Sequence, residues 1–407
     1  MHPNLATKLN GSGIFTMYSL IISNPVGPVS ITATNTLVIG NGIDLSGASQ
    51  DLTINTPLFV GGQQGCSRHF WTVTNTRTLT VNGRVDGVAD LIIAGGGSVA
   101  LGGTNTYTGT TSINAGTLTI SGAGQLGAGN YASAITDNGV FIYNSSLSQT
   151  LSGNFSGTGS VTVNGPGTLT LAGTNTCTGN TTINGGTLAL GSSLGGTNVT
   201  LAGGATFDVS GLSPTFVLGS GSMLMNSSVG ATINGTNNCS LGTLSLVTDG
   251  TNAAIIQTNG TMTISASTVI RVNNTGRILG VGNHPIIAAA TAGNPGLVVG
   301  TLPSVVVTGN GVAGSATLQI NGSGGLDLVV TSTTSSNPTS VNVAYSSGIL
   351  TLTWPGDHLG WLAQSNALDL TSSNDWFDIL GSQSATNLLI PINPASPQIF
   401  YRLRYPF

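Results

Sequence analysis

Two stretches of this chain are copies of one another. Val81–Ile120 and Leu151–Leu190 align without a gap, with about 17 identities over about 40 positions. The best-matched halves read LGGTNTYTGTTSINAGTLTI (101–120) and LAGTNTCTGNTTINGGTLAL (171–190). Such self-similarity narrows the choice of fold more than any other feature. A unit of this size cannot bury its own apolar face, and stacking it on neighbours builds a continuous core.

Each copy breaks into short strands. Leu91–Ile93, Val99–Leu101 and Leu118–Ile120 are apolar patches separated by Gly-rich or Asn-Gly turns. Thr117-Leu118-Thr119-Ile120 alternates with period two, so Leu118 and Ile120 share an inward face and Thr119 points out. No stretch combines a 3.6-residue period with helix caps. The pattern continues through Asn198–Leu201, Ala205–Val209, Thr243–Leu246 and Thr261–Ile264, with Leu326–Val330 as the last strand. The reading is an all-β, right-handed parallel β-helix over residues 30–336. At roughly 20–25 residues per coil it has about a dozen coils and is about 60 Å long.

Composition fits stacked coils. Charged residues make up 5% of the chain, glutamate is absent, and lysine occurs once, at Lys8. Like charges stacked every 4.8 Å or so would repel, whereas Thr, Ser and Asn can form hydrogen-bonded ladders. Glycine, with 61 residues, supplies the positive φ values of the corners. Disorder does not fit, because 39% hydrophobic residues alternate with polar ones. Eight scattered basic residues and a net charge of −4 exclude a nucleic-acid stripe. No apolar run approaches the roughly 20 residues that span a bilayer. Cys66, Cys177 and Cys239 are too far apart in sequence for zinc spacing, and their odd count argues against a complete disulfide framework.

Two other segments stand apart. Residues 1–29, with the short apolar stretch Ile14–Ile22, read as an N-terminal cap or leader segment. Thr331–Thr339 reads as a linker, placing a boundary near residue 337. Residues 337–407 then hold Trp354, Trp361 and Trp376 and about six strands, including Ile349–Trp354, Trp376–Ile379, Leu388–Ile392 and Ile399–Tyr405. They are expected to form a small C-terminal β-sandwich.

The NTYTG core followed by TSINAGTL, and NTCTG followed by TTINGGTL, resemble autotransporter-associated β-strand repeats, also called passenger-associated transport repeats. Gln63–Gly83 resembles the segment that often precedes them. In the second copy Cys177 stands where the first has Tyr107. The tail, through LTLTWPGDHLGW (350–361), DWFDI (375–379) and IFYRLRYP (399–406), is similar to a C-terminal module of surface proteins from Verrucomicrobia-like bacteria. The resemblance implies an extracellular or bacterial outer-surface β-helix without an established set of catalytic residues.

Candidate chemistry is sparse. Gly122–Gly127 and Gly309–Gly314 fit GxGxxG, but neither opens a helix. Gly191–Gly195 fits GxSxG around Ser193, yet the other copy has Ala123 there and no helix follows. Polysaccharide cleavage would need paired carboxylates. The nearest solenoid pair is Asp86 and Asp90, replaced by Ser156 and Ser160 in the second copy. Arg84, Arg271 and Arg277 lack the acidic company a lyase needs. His69, His284 and His358 are isolated, and Trp354, Trp361 and Trp376 read as sandwich core before sugar platform. No catalytic, cofactor or metal residue is assigned, and no cofactor is expected. The expectation is a structural or adhesive, non-catalytic surface rod, the alternative being a polysaccharide-binding or polysaccharide-cleaving β-helix. Expected partners are cell-surface or extracellular polysaccharide, or a second copy of the chain.

Overall fold

A computed structural model describes residues 14–61, 66–74, 76–195, 198–290, 297–331, 337, 339–368, 370, 375–393 and 398–405. Successive coils lay their strands side by side in parallel, in ladders of nine, thirteen and ten strands, with a further four-stranded sheet serving later coils. In the thirteen-stranded second sheet, residues 78, 98, 117, 140 and 160 are successive partners, so a coil takes roughly 20 residues. Thirteen strands make twelve intervals, a rod of about 58 Å at the inter-strand spacing. The parallel solenoid expected from the repeat is what the chain forms.

Alternation decides what goes inside. Leu79, Val99, Leu118, Phe141 and Val161 stack directly on one another in the second sheet. All are buried, as are Val81, Leu101, Ile120, Tyr143 and Val163 two residues on. Aromatic pairs thicken the core, with Phe141 edge-on to Phe155 at 5.6 Å and Phe207 to Phe216 at 5.2 Å. The corner glycines are required where expected. Gly116 and Gly186, equivalent in the two copies, have φ of +79° and +63°. A Cβ at either would sit 2.3 or 2.2 Å from a carbonyl of the preceding coil.

The two copies do not occupy equivalent faces. In the first, Asp90–Ala94 and Thr111–Ile113 lie in the first sheet, while Ser98–Leu101 and Thr117–Gly122 lie in the second. In the other copy, Ser160–Val163 and Thr181–Ile183 lie in the second sheet, and Thr168–Leu171 and Thr187–Leu190 in the third. The first sheet passes from Leu91 through Thr111 and Ile135 to Phe155, three coils, before the second copy begins one face further round.

The C-terminal end departs from a purely parallel helix. Leu326–Thr331 is a strand, but it runs antiparallel to both Gly282–Ala289 and Ser315–Ile320. The reversal comes from the turn at Asn321, whose Oδ1 accepts from the amides of Ser323 and Gly325 at 3.1 and 2.9 Å. The hairpin covers the edge of the third sheet, which would otherwise offer unpaired strand groups. At the other end Phe15–Ile21 pairs in parallel with Leu37–Leu45, so this apolar stretch is a solenoid strand. Residues 1–13 of the cap or leader segment, and 332–336 and 338 of the linker, lie outside the described residues.

The tail forms two antiparallel sheets of three strands each. Its own cluster joins Leu352, Trp354 and Ala363 to Leu350, Ile379, Leu388, Tyr401 and Leu403, drawn from both sheets. This is the expected small sandwich. Its strands include Asn342–Ser346 and Leu362–Asn366, which the sequence reading did not single out.

Candidate functional site

Seen from outside, the second sheet is an ordered polar surface. Thr53, Thr80, Ala100, Thr119, Ile142, Thr162, Thr182 and Thr200 are consecutive partners along one outward rank. A second rank runs Thr78, Ser98, Thr117, Val140 and Ser160. All are half-buried, as side chains in a close-set row must be. No outward position of these strands is charged or aromatic.

The expected hydrogen-bonded ladder holds at the corners and fails on the strands. Asn82 Nδ2 donates to Asn55 Oδ1, and Asn184 Nδ2 to Asn164 Oδ1, each at 2.8 Å. The hydroxyls of the ranked Thr and Ser residues have no partner within the described residues. In-register side chains in one rotamer hold their oxygens at the strand spacing of about 4.8 Å. That is too long for a hydrogen bond, and only the longer amide of Asn closes the gap.

Polar groups buried inside the rod include three islands built around titratable side chains. At the start of the solenoid, Trp71 Nε1 donates to His69 Nδ1 at 2.7 Å, and His69 Nε2 meets Ile39 O at 3.1 Å. The first contact makes Nδ1 the acceptor, so Nε2 carries the proton and donates. Burial pushes His69 down to about 4, against a smaller upward pull from the Ile39 bond. The ring is a neutral structural bridge, as the isolated histidine suggested.

The second island belongs to the first repeat. Thr111 Oγ1 lies 2.8 Å from both Tyr107 Oη and Tyr131 Oη, and Tyr131 Oη donates to the carbonyl of Gly109. Burial pushes the Tyr107 phenol up to about 12, partly opposed by its bonds to Thr111 and Tyr131, and raises Tyr131 further still. The second repeat shows what this tyrosine does. Cys177 replaces it, and the equivalent Thr181 hydroxyl is buried without a partner.

The third island is Asp137, fully buried and overlooked in the sequence reading. Its Oδ1 accepts from the amide of Gly139 at 3.0 Å, and its Oδ2 has no partner. A Cβ at Gly159 would lie 2.4 Å from the carboxyl carbon, so only glycine leaves it room. Burial raises Asp137 to about 6, partly opposed by bonds from Gly139 and Phe141. The signal available in sequence was an Asp at an inward position of Ile135–Asp137, where alternation calls for an apolar residue.

A folded-state value above the ordinary 3.8 means that the native chain holds the proton more tightly than the unfolded one. Through Asp137, stability is greatest below about pH 4 and falls as pH rises through about 6, while His69, held down at about 4, acts in the opposite direction between about pH 4 and 6.5. Asp137→Asn should remove the Asp137 contribution and stabilise the rod, relative to wild type, by about 1–3 kcal/mol more at pH 8 than at pH 4. Melting temperatures at pH 4, 6 and 8 check it. The comparison of the two proteins cancels the His69 contribution, and an Asp137→Asn gain no larger at pH 8 than at pH 4 would contradict the assignment.

The remaining candidates stay apart. Asp86 pairs with Arg84 at 3.0 Å, whereas Asp90 Oδ1 accepts from the amide of Thr110 at 2.8 Å. Arg271 follows Ser245 in an outward rank, and Asn274 Nδ2 donates to the Arg277 carbonyl. Gly122–Gly127 leads into a single 3-10 turn, Gly127–Gly129. Ser193 follows a bend at Gly191 and Ser192, after the strand Thr187–Leu190. His284 sets its ring nitrogens against the carbonyls of Gly250 and Gly280. His358 packs on Trp361, ring centroids 5.0 Å apart, and reaches Asn337 O. Trp354 and Trp361 are buried, and Trp376 lies under the Arg402 guanidinium at 4.2 Å. Cys177 and Cys239 are buried, with burial raising both thiols and pushing Cys239 up to about 12. Among the described residues no three His, Cys, Asp or Glu side chains gather at one place, and no helix is long and apolar enough to cross a membrane.

Residues 91–120 and 161–190 match the family model of the Passenger-associated-transport-repeat. The chain thus carries two such repeats, both within the solenoid. Comparison with curated proteins and with solved structures gives no match.

Proposed function

We propose that the chain is the non-catalytic rod of a surface-displayed passenger, holding its tail sandwich away from the cell and making adhesive contacts through its coil faces. The observation that carries this reading is the placement of two passenger-associated transport repeats within one continuous solenoid core. A chain with 5% charged residues, presenting ranks of neutral hydroxyls, suits a spacer that meets water and neutral partners.

Intact producing cells should bind an antibody raised against the purified chain, and mild external protease should remove the signal. Labelling only after permeabilisation would overturn surface display. The purified chain should leave pectic, β-glucan and chitin substrates uncut. Turnover lost on replacing Asp86 and Asp90 with Asn would overturn the non-catalytic half of the proposal.

A further inference from the structure

We infer that the outward face of the second sheet, across the strands from Leu52–Ile54 to Val199–Leu201, is an ice-binding surface. The inference deepens the adhesive-rod reading by naming what one coil face would hold. Its geometry is a two-dimensional array. Side chains recur about every 4.8 Å from strand to strand and about every 6.8 Å, two residues, along a strand. These distances are close to the repeats of oxygen atoms on faces of hexagonal ice.

Chemistry selects the partner. Each ranked hydroxyl is left without an intramolecular partner and can both donate and accept, as a water molecule does. The threonine methyl beside it presents a small apolar surface on which water orders rather than binds. The hydroxyl lapses at Ala100, Val140 and Ile142, of which Val140 keeps the threonine shape. No charge on these outward positions holds a competing hydration shell, so a polyelectrolyte has nothing to pair with. No aromatic ring on them offers a stacking platform for sugar. The ranks are fixed by continuous backbone ladders, so little side-chain freedom is left to lose when water freezes onto them.

The other faces are less regular. In the third sheet Thr168, Thr187, Thr206 and Thr232 form a comparable rank, but the adjacent rank passes from Ala189 to Asp208, a charge in the array. The first sheet sets Arg68 beside Asp90 and exposes Phe70.

Purified full-length chain should partition into slowly growing polycrystalline ice and suppress its recrystallisation. The double variant Thr119→Lys/Thr162→Lys, with its melting temperature recorded, should lose at least tenfold in the ice fraction, while Thr187→Lys on the third sheet partitions like wild type. Thr119→Val/Thr162→Val keeps the side-chain shape and tests the hydroxyls if the lysines disturb folding; a severalfold loss is expected. Exclusion of the wild type from ice would overturn the inference, as would undiminished partition of both double variants. Binding to microcrystalline cellulose or chitin with exclusion from ice would overturn it in favour of a glycan. Because purified protein is used, these outcomes are separate from the antibody test of surface display.

Discussion

Leu118→Asp is expected to unfold the middle of the rod, while the same substitution at the adjacent Thr119 costs about 1 kcal/mol. Leu118 is fully buried between Val99 and Phe141. Its loss forfeits about 2–5 kcal/mol of packing, and an unpaired buried carboxyl adds at least a few kcal/mol. Thr119 stands outward between Ala100 and Ile142, where a carboxylate remains hydrated. In a stack each coil supports both neighbours, so a break here uncovers strand edges on two sides and invites aggregation. Melting temperatures and light scattering of the two variants check it. Equal losses would mean that inside and outside are misassigned in this strand.

Trp71→Ala should be nearly as damaging by another route. Trp71 is fully buried, with Ile43 and Ile93 as its strand partners. Emptying its site should cost about 3–5 kcal/mol. It also strands His69 Nδ1, a buried acceptor whose donor is the indole, for a further roughly 1–3 kcal/mol. Trp71→Phe keeps much of the volume and strands the same acceptor, so its loss should fall well below that of alanine. Urea denaturation followed by far-ultraviolet circular dichroism separates the three. If Trp71→Phe and Trp71→Ala lose equally, the hydrogen bond rather than the packing dominates.

Much of the rod was legible because inside and outside follow a period of two, which sequence displays directly. Leu118, Ile120, Leu188 and Leu190 all point where alternation puts them. Which face a strand serves was not legible, because all faces bury the same kinds of residue, and so copies alike in sequence could sit in different sheets. The antiparallel hairpin at Leu326–Thr331 was missed for a related reason: a strand's apolar pattern carries no direction. The buried polar islands depend on contacts between coils about 20 residues apart. A local reading finds Tyr107, and alternation would have flagged the overlooked Asp137, but neither locates the Thr111 hydroxyl or the glycine space that receives each. The ranks on the second sheet were visible as threonines; their unspent hydroxyls emerge only from the strand spacing.

The offset between the two repeats has a consequence for how such a molecule can grow. One copy advances the chain by three coils and about a third of another, roughly 16 Å of length. Tandem duplication of this unit would need no adjustment of its interior, since alternation serves any face. It would turn each new copy's markings by about a third of a revolution, like treads of a spiral stair. A partner confined to one side of a lengthened rod would then meet the same tread once in every three copies, about 48 Å apart. Length and the pitch of surface contacts would thus be inherited together from a single duplicated segment.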